Sequence, residues 1–212
     1  NTSAAPMPLE LRKQVREAFK TDPLESYGLS EGTCGSACNP IDGVRKPGSV
    51  GLPLEGQSVR VVDEQGRDLP AGEVGELLIS GPNVMKGYYK DPALTARVIR
   101  DGWLYTGDLA CLDEEGYIFL AGRKKELIIR GGENIYPAEV EAVLYRHPAV
   151  LEAVVVGLPD EFWGEQVHAC IIPRPGRAVS AEQIIQLCGT SLADFKVPVS
   201  VSFHDDFPRT ST

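Results

Sequence analysis

Gly122-Arg123-Lys124-Lys125-Glu126-Leu127-Ile128-Ile129-Arg130-Gly131-Gly132-Glu133-Asn134-Ile135-Tyr136-Pro137 sets a basic pair, a short apolar strand, a diglycine turn and a proline-started helix in direct succession. The strand is expected at 127–129 and the glycine turn at 130–133. The helix is expected at 137–146, with Val140, Val143 and Leu144 inward. Glu139 and Glu141 in its first turns suit the positive end of the helix dipole.

Further along, 150–156 and 166–172 read as apolar, β-branched strands. Ser180-Ala181-Glu182-Gln183 is a capping box opening a helix that buries Ile184, Ile185 and Cys188, and 200–203 is a last strand. Strand, helix, two strands, helix, strand predicts a compact α/β unit. Its boundary with what precedes falls at 123–125, which divides the chain into domains 1–123 and 124–212.

Before that boundary the texture differs. An amphipathic helix is expected at 8–19, with Pro8 in its first turn and Leu11, Val15, Ala18 and Phe19 on one face. A loop rich in Gly, Ser, Cys and Pro fills 28–53, and loops of that length are uncommon unless functional. Short strands are expected at 59–62, 76–80, 109–112 and 117–120, with turn signals at Asp63-Glu64-Gln65-Gly66 and Asp113-Glu114-Glu115-Gly116. That spacing suggests a small barrel or a curled antiparallel sheet. The fold class is therefore mixed α+β.

The 212 residues carry a net charge of −9, which repels a phosphate backbone and argues against a nucleic-acid partner. The apolar runs are too short for a transmembrane segment. No basic-then-apolar leader opens the chain, although Asn1 does not look like a natural start. Five irregularly spaced cysteines read as reduced cytoplasmic thiols; Cys34 and Cys38 lack the second pair or histidine that would complete a zinc site.

Four groups of residues can do chemistry. In Tyr27-Gly28-Leu29-Ser30-Glu31, Tyr27 can stack on a purine, Gly28 permits close backbone approach, Ser30 can donate to phosphate and Glu31 can hold Mg²⁺. A polar turn explains the same residues when they are taken alone. Asp108, in Tyr105-Thr106-Gly107-Asp108, can accept from both hydroxyls of a ribose or merely cap a turn. Arg123 suits ribose and phosphate oxygens, or a surface ion pair. Gly131-Gly132 is either a hairpin turn or a passage that tolerates no Cβ.

Taken in order, these motifs resemble the adenylate-forming superfamily of acyl-CoA synthetases, peptide-synthetase adenylation domains and firefly-type luciferases. Met85-Lys86-Gly87-Tyr88-Tyr89 and Pro208-Arg209-Thr210-Ser211-Thr212 match as well, and the resemblance runs along essentially the whole chain. It implies an enzyme that activates a carboxylic acid with ATP and Mg²⁺ and passes the acyl group to a thiol, commonly coenzyme A. Ser3-Ala4-Ala5-Pro6 would lie along the adenine, with Tyr27 packed on the base, Ser30 facing the phosphates and Glu31 on Mg²⁺. Asp108 would hold the ribose hydroxyls and Arg123 the ribose or phosphate. Lys125 takes the hinge position, and Gly131 and Gly132 would line the pantetheine passage.

The resemblance casts 1–123 as the end of a large N-terminal domain with a small antiparallel β-barrel subdomain, and 124–212 as a small mobile C-terminal domain. The family's phosphate loop is expected upstream, and its catalytic lysine just beyond Thr212. The chain is thus expected to be a fragment, inactive by itself. Gly157-Leu158-Pro159-Asp160-Glu161-Phe162-Trp163-Gly164-Glu165 resembles the loop of the CoA-forming branch. A carrier-protein arm as acceptor and a non-catalytic nucleotide-binding module are the alternatives, and a homo-oligomer is compatible with any of them.

Overall fold

The structure, a computed structural model, describes Met7 and residues 9–209. The chain divides into two compact units, one ending at Lys124 and the next beginning at Lys125.

The first unit opens with α1 (Leu9–Phe19). Leu11 and Phe19, expected inward, are 46% and 73% exposed, whereas Arg12 is only 6% exposed. The reason is electrostatic: the Arg12 guanidinium reaches Asp22 and Glu25, each at 2.8 Å, and draws the helix down on its charged side. The long loop then proves to be structured. β1 (Ser26–Tyr27), β2 (Ala37–Cys38) and β3 (Leu52–Pro53) form a small antiparallel sheet.

β4 (Ser58–Val62), β5 (Gly75–Ser80), β6 (Ile99–Arg100), β7 (Trp103–Leu112) and β8 (Ile118–Arg123) make the curled antiparallel sheet that the turn spacing suggested. Their order is β4-β5-β7-β6, with β8 also on β7. α2 (Pro92–Val98) starts on a proline after Asp91, whose side chain caps the helix by accepting from the Leu94 amide. Val61, Leu77, Ile79, Ala110 and Ile118 form the core beneath the sheet, and Tyr27 is packed among them. Each is an alternate residue of its strand, so the apolar face follows from the two-residue period.

The second unit carries β9 (Ile128–Arg130), β10 (Glu133–Ile135), α3 (Pro137–Leu144), β11 (Val150–Asp160), β12 (Gly164–Pro173), α4 (Ala181–Gly189) and β13 (Ser200–Phe203). The sheet runs β10-β9-β12-β11, with β13 parallel to β12. Val140, Val143 and Leu144 are buried as expected, and Ile184 and Cys188 of α4 complete the core. Ser180 accepts from the Gln183 amide while Gln183 returns the bond to Ser180, so the capping box is formed. Glu139 pairs with Lys196 at 2.7 Å. Glu141 turns into the protein instead and accepts from the Val155 amide at 2.9 Å.

Among the described residues, no helix is long and apolar enough to cross a membrane. All five cysteines are free.

Candidate functional site

The geometry around Asp108 begins with a mismatch in the β5–β7 ladder. Glu76 pairs with Leu109 and Leu78 with Tyr105. β7 therefore inserts extra residues, Thr106-Gly107-Asp108, opposite Leu77. Such a bulge bends the strand and re-aims its side chains. Side chains compensate for the lost ladder bonds. Thr106 Oγ1 donates to the Leu77 carbonyl at 2.7 Å and accepts from the Asp108 amide at 3.1 Å. Gly107 takes φ +73°, a conformation that suits glycine, and its amide donates to Glu76 Oε1 at 3.3 Å.

Out of register with β5, Asp108 meets two residues that the sequence marked as site candidates. Tyr27 donates its hydroxyl to Asp108 Oδ2 at 2.5 Å. Arg123 is the cross-strand partner of Asp108 in the β7–β8 register, and its Nε lies 3.5 Å from Oδ1. Arg123 is 57% exposed at the side chain against 17% for Asp108. Oδ2 is thus committed, while Oδ1 is held loosely and retains room to accept from a ligand hydroxyl. The Tyr27 ring is only 8% exposed, so most of the surface expected to stack on a base is spent in the core. Burial, and then the Asp108 charge, push the Tyr27 phenol well above its ordinary value. It stays a proton donor to the carboxylate.

Ser30 and Glu31 sit four residues away or fewer, on the 3-10 turn Ser30–Gly32. Ser30 is exposed. Glu31 Oε1 accepts from the Tyr88 hydroxyl at 2.7 Å, and its carbonyl accepts from the Met85 amide at 2.7 Å. Asn83 Nδ2 ties down the same turn through the Gly32 carbonyl at 2.8 Å. Gly28 does have a close neighbour, from within the chain: a Cβ there would lie 1.5 Å from the Cys34 carbonyl oxygen.

Among the described residues no three metal-ligating side chains gather. A cation at Glu31 would complete its shell with water and nucleotide oxygens, which is how Mg²⁺ is commonly held beside phosphates. One accessible carboxylate fits that requirement.

Lys125 belongs to the second unit and lies exposed in the 3-10 turn Lys124–Glu126. Gly131 and Gly132 form the two-residue turn between β9 and β10, at φ +59° and +89°. Two successive positive values mark a hairpin turn of the primed kind. A Cβ at Gly131 would lie 2.8 Å from Trp163 Cε3, whereas one at Gly132 would meet nothing within 4 Å. Ala4, Ala5 and Pro6 lie outside the described residues.

Sequence reasoning missed Glu76, Asn83 and Thr106 as supports. The one available signal was a carboxylate in the otherwise apolar run Gly75-Glu76-Leu77-Leu78-Ile79.

Comparison with known proteins bears on the family. Residues 2–89 match the model of the AMP-binding enzyme family, and 139–212 match that of the AMP-binding enzyme C-terminal domain. The chain is 41% identical over 211 residues to a long-chain-fatty-acid–CoA ligase of Bacillus subtilis, covering 99% of this chain and 38% of that protein. ATP-bound MatB from Rhodopseudomonas palustris superposes with a TM-score of 0.94 at 40% identity, over 99% of this chain and 42% of that one. The o-succinylbenzoate CoA synthetase MenE of Bacillus subtilis, in complex with its acyl-adenylate intermediate, gives 0.88 at 38% identity, over 98% and 42%. The chain thus spans about two fifths of the length of these relatives. With both family models matched in order and the Tyr27, Asp108 and Arg123 side chains drawn together, the chain belongs to the AMP-binding, adenylate-forming superfamily.

Proposed function

We propose that this chain is the nucleotide-handling and C-terminal part of an ATP-dependent acid–thiol ligase. The enzyme transfers the AMP portion of ATP to a carboxylic acid with release of pyrophosphate, then passes the acyl group to the thiol of coenzyme A with release of AMP. The observation that carries the proposal is the Asp108 constellation: a carboxylate lifted from the ladder by a bulge, oriented by Tyr27 and flanked by Arg123. A carboxylate with one fixed oxygen and one accessible oxygen is suited to a ribose diol.

In this reading Asp108 accepts from the ribose hydroxyls, and Arg123 contacts ribose or phosphate. Tyr27 and Gly28 shape the floor beside the base, and Ala4-Ala5-Pro6 lies along the adenine. Ser30 donates to phosphate. Glu31 holds Mg²⁺, which when bound neutralises phosphate charge. Lys125 is the hinge at which the mobile C-terminal domain turns, and Gly131 and Gly132 line the pantetheine passage of its thioester-forming pose. A hinge motion lets one enzyme present two different faces to one adenylate.

Coenzyme A is favoured over a carrier-protein arm by the loop at 157–165, now seen as the tip of the β11–β12 hairpin. There Asp160 accepts from the Phe162 and Trp163 amides, and the Arg130 guanidinium lies 5.5 Å from the Trp163 ring centroid. The cytoplasm suits this chemistry, and five free thiols suit a reducing compartment. A homo-oligomer is compatible with the reading and plays no part in it.

The test is acid-dependent ATP–pyrophosphate exchange, followed by CoA consumption, in a protein of the relatives' length that carries this chain. Exchange with a panel of carboxylic acids supports the proposal and names the substrate. Absence of exchange with every acid would sink it.

A further inference from the structure

Glu76 lies in β5 between the buried Gly75 and Leu77, and its side chain is 14% exposed. A carboxylate so placed loses most of its hydration and needs hydrogen-bonded partners. Both oxygens have one. Oε1 accepts from the Gly107 amide at 3.3 Å, and Oε2 accepts from Lys124 Nζ at 3.0 Å. Gly107 immediately precedes Asp108, and Lys124 immediately follows Arg123. A single side chain therefore holds the backbone before one member of the Asp108–Arg123 pair and the side chain after the other.

We infer that Glu76 is a positioning residue for nucleotide recognition: it fixes the β7 bulge and the end of β8, so that Asp108 and Arg123 meet the ribose in one geometry. The inference rests on the reading that those two residues face a nucleotide. Glu76 itself touches no substrate. Its contribution is to supply the acceptor that the ladder mismatch denies to Gly107. Without it the Gly107 amide has no strand partner at the bulge, and the loop bearing Asp108 samples more conformations, so binding must pay to order it. The pairing with Lys124 is the more exposed half, since the Lys124 side chain is 49% exposed, and water screens it.

The experiment is AMP titration by calorimetry together with backbone hydrogen exchange at Gly107 and Asp108. It uses the full chain and four variants: Glu76→Ala, Glu76→Asp, Glu76→Gln and Lys124→Met. Glu76→Ala removes both interactions and is expected to weaken AMP binding about tenfold and to speed exchange at Gly107. Glu76→Asp cannot span both partners and is expected to weaken binding severalfold. Glu76→Gln retains the acceptor for Gly107 and is expected to restore affinity to within about threefold of wild type, as is Lys124→Met.

Wild-type affinity in both Glu76→Ala and Glu76→Asp overturns the inference and leaves the nucleotide reading standing. If Glu76→Ala does not fold, Glu76→Asp decides in the same way. Failure of the wild-type chain to bind AMP removes the nucleotide reading and the inference with it.

Discussion

Tyr88 donates its hydroxyl to Glu31 at 2.7 Å, so a tyrosine 57 positions away holds the carboxylate proposed to bind Mg²⁺. The Met85 amide grips the Glu31 carbonyl as well, which fixes the residue at both ends. Partners behind a metal-binding carboxylate orient it, and their loss commonly weakens metal binding about tenfold or more. Tyr88→Phe is therefore expected to raise the Mg²⁺ concentration needed for nucleotide binding about tenfold, with AMP binding in the absence of metal unchanged. Titration of Mg²⁺ into the nucleotide-loaded protein measures both.

Asp108→Ala removes the proposed ribose acceptor and the carboxylate that accepts from the Tyr27 hydroxyl. Two lost charge-assisted bonds correspond to about 3 kcal/mol or more of nucleotide affinity. ATP use by the relatives' length of protein, or AMP binding by the chain, reads the effect. An unchanged affinity would remove Asp108 from the site.

Arg12→Met tests the buried ion pair beneath α1. Arg12 and Glu25 have side-chain exposures of 7% and 6%, so the substitution leaves Glu25 uncompensated. Breaking a buried pair on one side costs about 3–5 kcal/mol. Urea denaturation followed on the first unit is expected to show a loss of that order. Replacing both partners by apolar residues of similar volume is expected to recover most of it.

The two glycines of the β9–β10 turn are expected to differ. Ala at Gly132 carries only the strain of its positive φ, about 1 kcal/mol. Ala at Gly131 adds a clash with the Trp163 ring, so the hairpin must shift. Denaturation of the second unit should rank Gly131→Ala as the more damaging. Equal losses would show that the tryptophan moves aside freely.

Glu141 gives the second unit a pH dependence. Burial raises its pKa above the ordinary glutamate value, the bond from the Val155 amide opposes the rise, and nearby Glu126 adds to it. A raised folded pKa means that the protonated form is favoured in the native state. Its contribution is full in acid below the ordinary glutamate range, and is lost as pH climbs through the raised value. Glu141→Gln keeps an acceptor for Val155 without the charge. It is expected to stabilise the protein at neutral pH, and the gain should vanish in acid.

Regular patterns made much of this fold legible. Short strand-like runs between turn signals marked β4 and β5 to within a residue, and Ser180 with Gln183 announced the start of α4. The first half of β7 was hidden because its bulge places Thr106-Gly107 inside a strand, where glycine ordinarily signals a loop. The face of α1 was misread because its apolar stripe was weighed without the two carboxylates that capture Arg12. Tyr27, Asp108 and Arg123 were each named from the sequence, but the use of the Tyr27 hydroxyl to hold Asp108 was not. Glu76 could not have been found by periodicity, since its two partners stand 31 and 48 positions away.

The facing of Arg123 and Asp108 is a matter of phase. β8 carries one unmatched residue, Ala121, between the pairs Leu109–Gly122 and Ala110–Leu120. Were that residue paired with Leu109 instead, closing the bulge, every later position would fall back one rung, which brings Gly122 opposite Asp108 in place of the guanidinium. A slip of one rung in this strand pair is consequently enough to abolish the contact without changing a single side chain.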